Sequence, residues 1–404
     1  MWRKTIFFLP FAISLVVACQ PAGQSSGQNK NPYQVVQLSS PADSLSSLPY
    51  LLSGFDNHLY LSWVTNEDTL TTLNFAKYNG QQWSEAKEIA SGEHWFVNWA
   101  DYPMISVNSN GQLLAHFLAK NADGTYSYDV NLTSSQKGDT WRDAVVPHKD
   151  QTPTEHGFVT MLPHDSGQFT VTWLDGRNTE QQGAMTLRGA TVSADLEVSQ
   201  SEELDNRVCD CCQTGGTITD NGPVIVYRNR SEVEWRDIYI VRKVANQWTE
   251  PSPVFEDRWE IAGCPVNGPR ADALGNELVV AWYTAAAGQP KVKVSFSKDG
   301  GATFASPIIV DYEKPLGRVD VVMLDAGKAM VSWLATGEDD QKAYVSAMLV
   351  AHDGSKGPVL RIAESSRERA SGFPQMALYG GELFFAWTSV QDDTPVIEMA
   401  KIQL

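Results

Sequence analysis

The chain has 404 residues, with 48 Asp and Glu against 31 Lys and Arg, for a formal net charge of -17. That balance excludes nucleic-acid binding, which needs basic surface to displace counterions from phosphates. The length is ample for a large buried core, and the 13 Trp suggest one recurring structural position.

In chain order, Met1, Trp2, Arg3 and Lys4 form a charged start, followed by an apolar stretch from Thr5 to Ala18 that is too short for a stop-transfer helix. Leu15-Val-Val-Ala18 then meets Cys19, and polar residues run from Gln20 to Asn31. The Leu15 to Cys19 run resembles the signal of bacterial lipoproteins. The resemblance implies cleavage after Ala18, acylation of Cys19 and, because Gln20 is not the Asp of inner-membrane retention, an outer-membrane anchor facing the periplasm or the cell surface. Residues 19–32, rich in Gly, Ser and Gln, are expected to form a flexible tether, leaving residues 33–404 as the folded domain.

One pattern organises that domain: a short apolar strand that follows a tight turn and ends on an aromatic residue. It recurs at Leu59–Trp63, Leu113–Phe117, Phe169–Trp173, Val224–Arg228, Leu278–Trp282, Ala329–Trp333 and Leu383–Trp387, with end positions 51 to 56 residues apart. Turn pairs such as Asn110-Gly111, Asn221-Gly222 and Gly380-Gly381 precede it, and a further apolar strand precedes each turn, so every unit opens with a hairpin. A third and a fourth strand, such as Lys291–Phe296 and Pro307–Val310, complete the unit. Four strands at this period predict an all-β, seven-bladed β-propeller, with six blades as the alternative count. The last unit has room for three strands before Leu404, and Tyr33–Leu38 is spare, so this N-terminal strand is expected to close the ring.

Ser297-Lys-Asp299-Gly-Gly301-Ala-Thr303-Phe304 follows the pattern Ser-x-Asp-x-Gly-x-Thr-Trp/Phe, and Ser134-Ser-Gln136-Lys-Gly138-Asp-Thr140-Trp141 is a degenerate copy. The chain thereby resembles the sialidase-like, Asp-box or BNR-repeat propellers. The resemblance implies architecture and a glycan ligand, cleaved or only bound. Sialidases carry a Phe/Tyr-Arg-Ile-Pro motif in the first blade, whereas this chain has Leu48-Pro-Tyr-Leu-Leu-Ser53 without arginine. No sialidase catalytic residue is therefore carried over.

Propeller topology places the loops between second and third strands, together with the connections between units, at one mouth. The connections hold Glu93, His94, Glu155, His156, Cys209, Asp210, Cys211, Cys212, Glu260, Cys264, Asn267, Arg318 and Arg369, and the loops between second and third strands add Asp175, Arg177, Arg230, Glu232, Glu234, Arg236 and Asp237 at the same mouth. For a glycosidase, the acids are drawn from Asp175, Glu234, Glu260 and Asp320. Arg177, Arg228, Arg230, Arg236, Asn267, Arg270 and Arg318 are candidate ligand-binding residues, with Arg230, Arg270 and Arg318 able to grip an anionic sugar. Arg228 stands where other units have an aromatic, which demands a partner, and Glu232, Glu234 and Asp237 are candidates.

Cys209, Cys211, Cys212 and Cys264 open adjacent units and are expected to lie close together. In an oxidising compartment the simplest outcome is two disulfides of undetermined connectivity. The functional alternative is a thiolate site for copper or zinc, or a redox site, with His156 or His94. Three functional readings thus stay open: a glycan-active propeller, a metal-binding or redox propeller, and a non-catalytic envelope scaffold. Oligomeric state is not readable from the sequence.

Overall fold

In a computed structural model, residues 1–2, 33–337 and 342–404 are described. The chain divides into Met1–Pro32 and Tyr33–Leu404. The leader, Cys19 and the tether lie outside the described residues. Among the described residues no helix is long and apolar enough to cross a membrane.

Residues 33–404 form seven antiparallel sheets, the seven blades of a β-propeller. With strands lettered A to D outward from the axis, the A strands of blades one to seven are Ser46–Ser53, Ile105–Val107, His156–Pro163, Gly215–Thr219, Arg270–Leu274, Pro315–Asp325 and Gln375–Tyr379. The predicted repeat is the B strand throughout, from Leu59–Glu67 in blade one to Glu382–Gln391 in blade seven. Closure occurs as expected: Val35–Leu38 lies antiparallel to Thr394–Gln403, with Val35 opposite Ile402 and Leu38 opposite Met399. The first and last segments of the domain thus share one sheet, which leaves no edge at the chain's seam.

Blade two departs from the four-stranded pattern, with only Ile105–Val107, Leu113–Lys120 and Tyr128–Ser135. In place of a fourth strand, a single bridge joins the chain after Ser135 to the third strand, with Leu132 and Val145 exchanging backbone hydrogen bonds at 2.8 and 2.9 Å. Pro147 follows two residues later without an N–H to extend the ladder, so pairing stops.

The repeat aromatics lie within the B strands, which run two to four residues further, and fill the spaces between blades; Trp63, Trp173, Trp282, Trp333 and Trp387 are among the largest fully buried side chains. A buried indole N–H needs an acceptor. Trp173 donates to Asp175, Trp282 to Asp257, Trp333 to Asp311 and Trp387 to Glu398, at 2.7–3.1 Å. Asp257 follows the last strand of blade four and Asp311 ends that of blade five, so two of these bonds join neighbouring blades.

The Ser297–Phe304 turn is held by Asp299, which accepts from the Ser297 hydroxyl and from both the backbone and hydroxyl of Thr303, at 2.6–2.9 Å. Gly301 has φ +84°, and a Cβ there would stand 2.7 Å from Ile240 of blade four. Glycine is needed for both the dihedral and the approach. The turn is therefore also a contact between blades.

Candidate functional site

A strands begin, B strands end and C strands begin at one end of the ring, so the segments leading into each blade converge there. The axial cavity, about 330 Å³, is walled by the A strands of six blades and by Met104, just ahead of the A strand of blade two. Tyr102, also ahead of blade two, ties the ring together there: Arg270 of blade five donates to its hydroxyl, as does Gln375 of blade seven at 3.2 Å. Gln213, ahead of blade four, donates to the Ala100 carbonyl at 2.7 Å and accepts the Gly268 N–H at 3.0 Å. Asp272 accepts the Met323 N–H and Asp320 the Met376 N–H, each at 2.8 Å, so these carboxylates link successive blades. Burial raises both to about 6, with Arg270 acting against the rise at Asp320.

A second, more open cavity of about 350 Å³ lies off the axis between blades two, three and four, lined by Tyr126, Thr154, Glu155, Thr179, Glu180 and Asp210 among others. Tyr126 is 59% exposed and meets Phe96 edge-on at 6.2 Å, while Phe96 stacks on Tyr128 at 4.0 Å. The buried aromatics thus hold an accessible ring at the pocket wall. Below it, the Tyr128 hydroxyl lies 2.7 Å from the Glu155 carboxylate and 3.2 Å from that of Asp101. One hydroxyl has one proton to donate, so two ionised carboxylates cannot both receive it. Burial, with Glu155 as a further contributor, pushes Asp101 up to about 8. Glu155 rises to about 7 through burial, and Asp210 adds to the rise. The pocket therefore combines an accessible aromatic with carboxyl groups able to hold or release a proton near neutrality.

Beside this pocket, His148 and His156 stack with ring centroids 3.8 Å apart, between Asp129 and Asp150. Asp175 stands 3.7 Å from His156 and accepts two bonds from Arg177 at 2.6 Å, while Arg177 also reaches Asp150 at 2.9 Å. Burial disfavours the charged form of His156, but Asp129, Asp150 and Asp175 outweigh it and raise the imidazole to about 9.

The four cysteines cluster as expected, but the structure has one disulfide rather than two: Cys211 pairs with Cys264, and Cys209 and Cys212 are free and buried. Their sulfurs are 2.8 Å apart, in direct contact but beyond the ~2.05 Å of a disulfide. The two stand at Cys-x-x-Cys spacing. Burial raises Cys212, but the Cys209 hydrogen bond, Arg228, the Asn267 backbone and Arg236 outweigh it, so Cys212 falls below the ordinary thiol range and Cys209 rises. Neither histidine proposed as a partner joins them. His156 is engaged by carboxylates, and His94 is exposed, its carbonyl accepting from Lys120 at 2.8 Å.

Arg228 finds partners other than those expected. It donates to the carbonyls of Asn267, Arg236 and Tyr283, and Trp259 covers its guanidinium at 4.9 Å. Glu234 is taken instead by Arg230 and Arg236, at 2.8–3.2 Å, and Asp237 accepts the Arg258 and Trp259 N–H groups. Glu232 is exposed.

The other predicted residues do not assemble into one site. Asp175 is sealed in the histidine cluster, Asp320 is in the channel wall, and Glu260 is exposed on a connection between blades. Arg230 lies at the rim with Asp210 and Glu234, whereas Arg318 is buried at the start of blade six. Arg318 donates to Ser371 and to the carbonyls of Glu368, Gly372 and Arg367, and its N–H donates to the Asn267 side chain at 2.7 Å. Arg230, Arg270 and Arg318 are thus each engaged by partners within the protein. Sequence reasoning missed Asp101, Tyr128, Asp129, His148 and Asp150, and it placed Glu155 at the mouth without a chemical role. Phe96, Tyr126 and Tyr128 flank them as the aromatic signal that could have drawn attention to that edge of blade two.

Neither a protein-family model nor a curated protein matches the sequence. Solved structures do match the fold. A PL25 ulvan lyase bound to -[GlcA(1-4)Rha3S]- is similar at TM-score 0.58 and 14% identity, covering 90% of this chain and 95% of the lyase. The polysaccharide lyase Uly1 is similar at TM-score 0.55 and 7% identity, with 92% and 98% covered. A protein of unknown function from Dyadobacter fermentans is similar at TM-score 0.55 and 11% identity, with the same coverage of 92% and 98%. These likenesses extend over the whole propeller and concern its fold.

Proposed function

We propose that this propeller binds a glycan in the off-axis pocket of blades two to four and acts on it by acid–base chemistry, with Glu155 as the proton-transferring group. The carrying observation is the juxtaposition of the exposed Tyr126 ring with the Glu155 and Asp210 carboxylates in one open cavity. A sugar presents an apolar face and a rim of hydroxyls, which suits an aromatic wall and carboxylate acceptors. The two polysaccharide lyases of the same fold support the substrate class by analogy. The engagement of Arg230, Arg270 and Arg318 by protein partners favours recognition of hydroxyls over a sialidase-like grip on a carboxylate.

The test is incubation of the purified protein with a panel of soluble polysaccharides. New reducing ends indicate hydrolysis, and absorbance of an unsaturated uronate indicates elimination. Binding without either product reduces the role to recognition, and no binding by any glycan removes the proposal. The anchor at Cys19 and an outer-membrane location belong to the same proposal, and mass spectrometry of an acylated N-terminal cysteine tests them.

A second reading is favoured by the 2.8 Å contact of Cys209 and Cys212 beside the Cys211–Cys264 disulfide: a thiol redox or soft-metal site. It places chemistry on the segment ahead of blade four that also supplies Asp210 to the Glu155 pocket.

A further inference from the structure

The geometry points to a divalent transition-metal site at the seam of blades two and three, with Asp129, His148 and His156 as ligands and Asp150 as the acceptor behind both histidines. Asp129 is on strand C of blade two, His156 starts strand A of blade three, and His148 and Asp150 lie on the segment between the blades.

The two buried imidazoles present a conflict in proton count. The His148 and His156 side chains are 2% and 0% exposed, and their rings lie within 13° of parallel. Along one edge, His148 Nε2 and His156 Nδ1 stand 3.5 and 3.4 Å from the same Asp129 Oδ1. Along the opposite edge, His148 Nδ1 stands 3.3 Å from Asp150 Oδ2, and His156 Nε2 3.3 Å from Asp150 Oδ1. Despite these approaches, neither ring nitrogen of His148 nor Nε2 of His156 makes a hydrogen bond.

A neutral imidazole has one N–H and one lone pair. With a carboxylate on both edges, either neutral tautomer turns its lone pair onto an anionic oxygen. One cationic ring, His156 among its three carboxylates, still leaves a neutral His148 with its lone pair on an anionic oxygen, and two cationic rings place like charges face to face in a site shielded from water, where repulsion is strong. A divalent cation on the Asp129 edge resolves both difficulties. It takes the His148 Nε2 and His156 Nδ1 lone pairs together with an Asp129 oxygen, replacing the 3.3 Å contact of His156 Nδ1 with the Tyr128 carbonyl, and each ring keeps its N–H on the far edge, one facing each Asp150 oxygen. Carboxylates placed behind metal-bound histidines fix the tautomer in this way.

Further contacts fit this assignment. Asn121 donates to Asp129 Oδ1 at 2.7 Å, and Arg177 fixes Asp150 from behind at 2.9 Å. Asp129 is 24% exposed, which provides an entry path and room for a solvent ligand. Two imidazoles and one carboxylate suit zinc or a neighbouring divalent metal, whereas calcium and magnesium take oxygen and copper(I) takes sulfur.

The test is titration of the chelator-treated, dialysed protein with zinc and with cobalt(II) against a competing chromophoric chelator, with bound metal counted by mass spectrometry. The expected result is one metal per chain, with a cobalt spectrum free of sulfur-to-metal charge transfer. His148→Ala loses stoichiometric binding, Asp150→Asn weakens it about 10- to 100-fold, and the Cys209→Ser/Cys212→Ser double variant retains it. Asp129→Asn, at the accessible edge, gives the same readout if His148→Ala fails to fold. No stoichiometric metal on the folded wild-type protein overturns the assignment. So does binding that survives Asp129→Asn and disappears with the two cysteines.

Discussion

Arg228 donates to the Asn267 carbonyl through both Nε and Nη2, at 3.0 and 2.7 Å. That carbonyl belongs to the connection between blades four and five, so the arginine that interrupts the aromatic repeat acts as a clamp between them. Removing it strands buried acceptors on Asn267, Arg236 and Tyr283. Arg228→Met is expected to cost roughly 3 kcal/mol or more, since each buried unsatisfied acceptor costs about 1–3 kcal/mol. Urea unfolding measures this, and a loss below about 1 kcal/mol would be too small for the clamp described.

Asp101 gives a pH signature. Its folded-state pKa, about 8, lies above the unfolded value, so between the two the folded chain holds a proton that the unfolded chain has released. Stability from this group is present at low pH and falls as pH rises towards 8, with a slope of about 1.4 kcal/mol per pH unit at most. Asp101→Asn imitates the protonated acid and is expected to flatten that fall. Denaturant midpoints compared from pH 5 to 8, a range within that window, supply the check. Parallel curves for the two proteins would contradict the assignment.

Closure of the ring depends on Val35–Leu38 beside Thr394–Gln403. A chain beginning after Leu38 exposes a long strand edge on blade seven and loses the shared sheet. It is expected to melt at lower temperature and to associate at concentrations where the intact domain does not. Calorimetry and light scattering read the two effects.

The thiols predict a redox response. Alkylation under denaturing, non-reducing conditions should tag Cys209 and Cys212 and leave Cys211 and Cys264 unmodified. Mild oxidation should remove both tags without joining chains, because the two sulfurs face each other at 2.8 Å. Tags on Cys211 or Cys264 in the native protein would contradict the pairing.

The propeller was legible in the sequence because its blades repeat: Trp63, Trp173, Trp282, Trp333 and Trp387 occupy one position in successive B strands, and Val35 waits ahead of blade one. The site was less legible for the same reason. Asp101 and Glu155 come from connections that do not recur, Tyr128 opens a third strand whose repeat does not single it out, and His148 lies on the connection after Pro147 where blade two loses its fourth strand. The spacing that identifies blades carries no information about which irregular segments meet between them. Arg228 was visible as an exception, but its carbonyl partners were not, since main-chain acceptors leave no mark in composition.

The most direct test of the central claim compares Glu155→Gln with Glu234→Gln on whichever polysaccharide the wild-type protein processes. Glu155 lines the pocket with Tyr126 and Asp210, whereas Glu234 is held by Arg230 and Arg236 at the rim. The account predicts that Glu155→Gln lowers kcat at least about 100-fold, as expected for loss of a general acid or base, while Glu234→Gln keeps most of the activity and both variants stay folded. Full activity in Glu155→Gln, or its loss only in Glu234→Gln, would place the chemistry elsewhere.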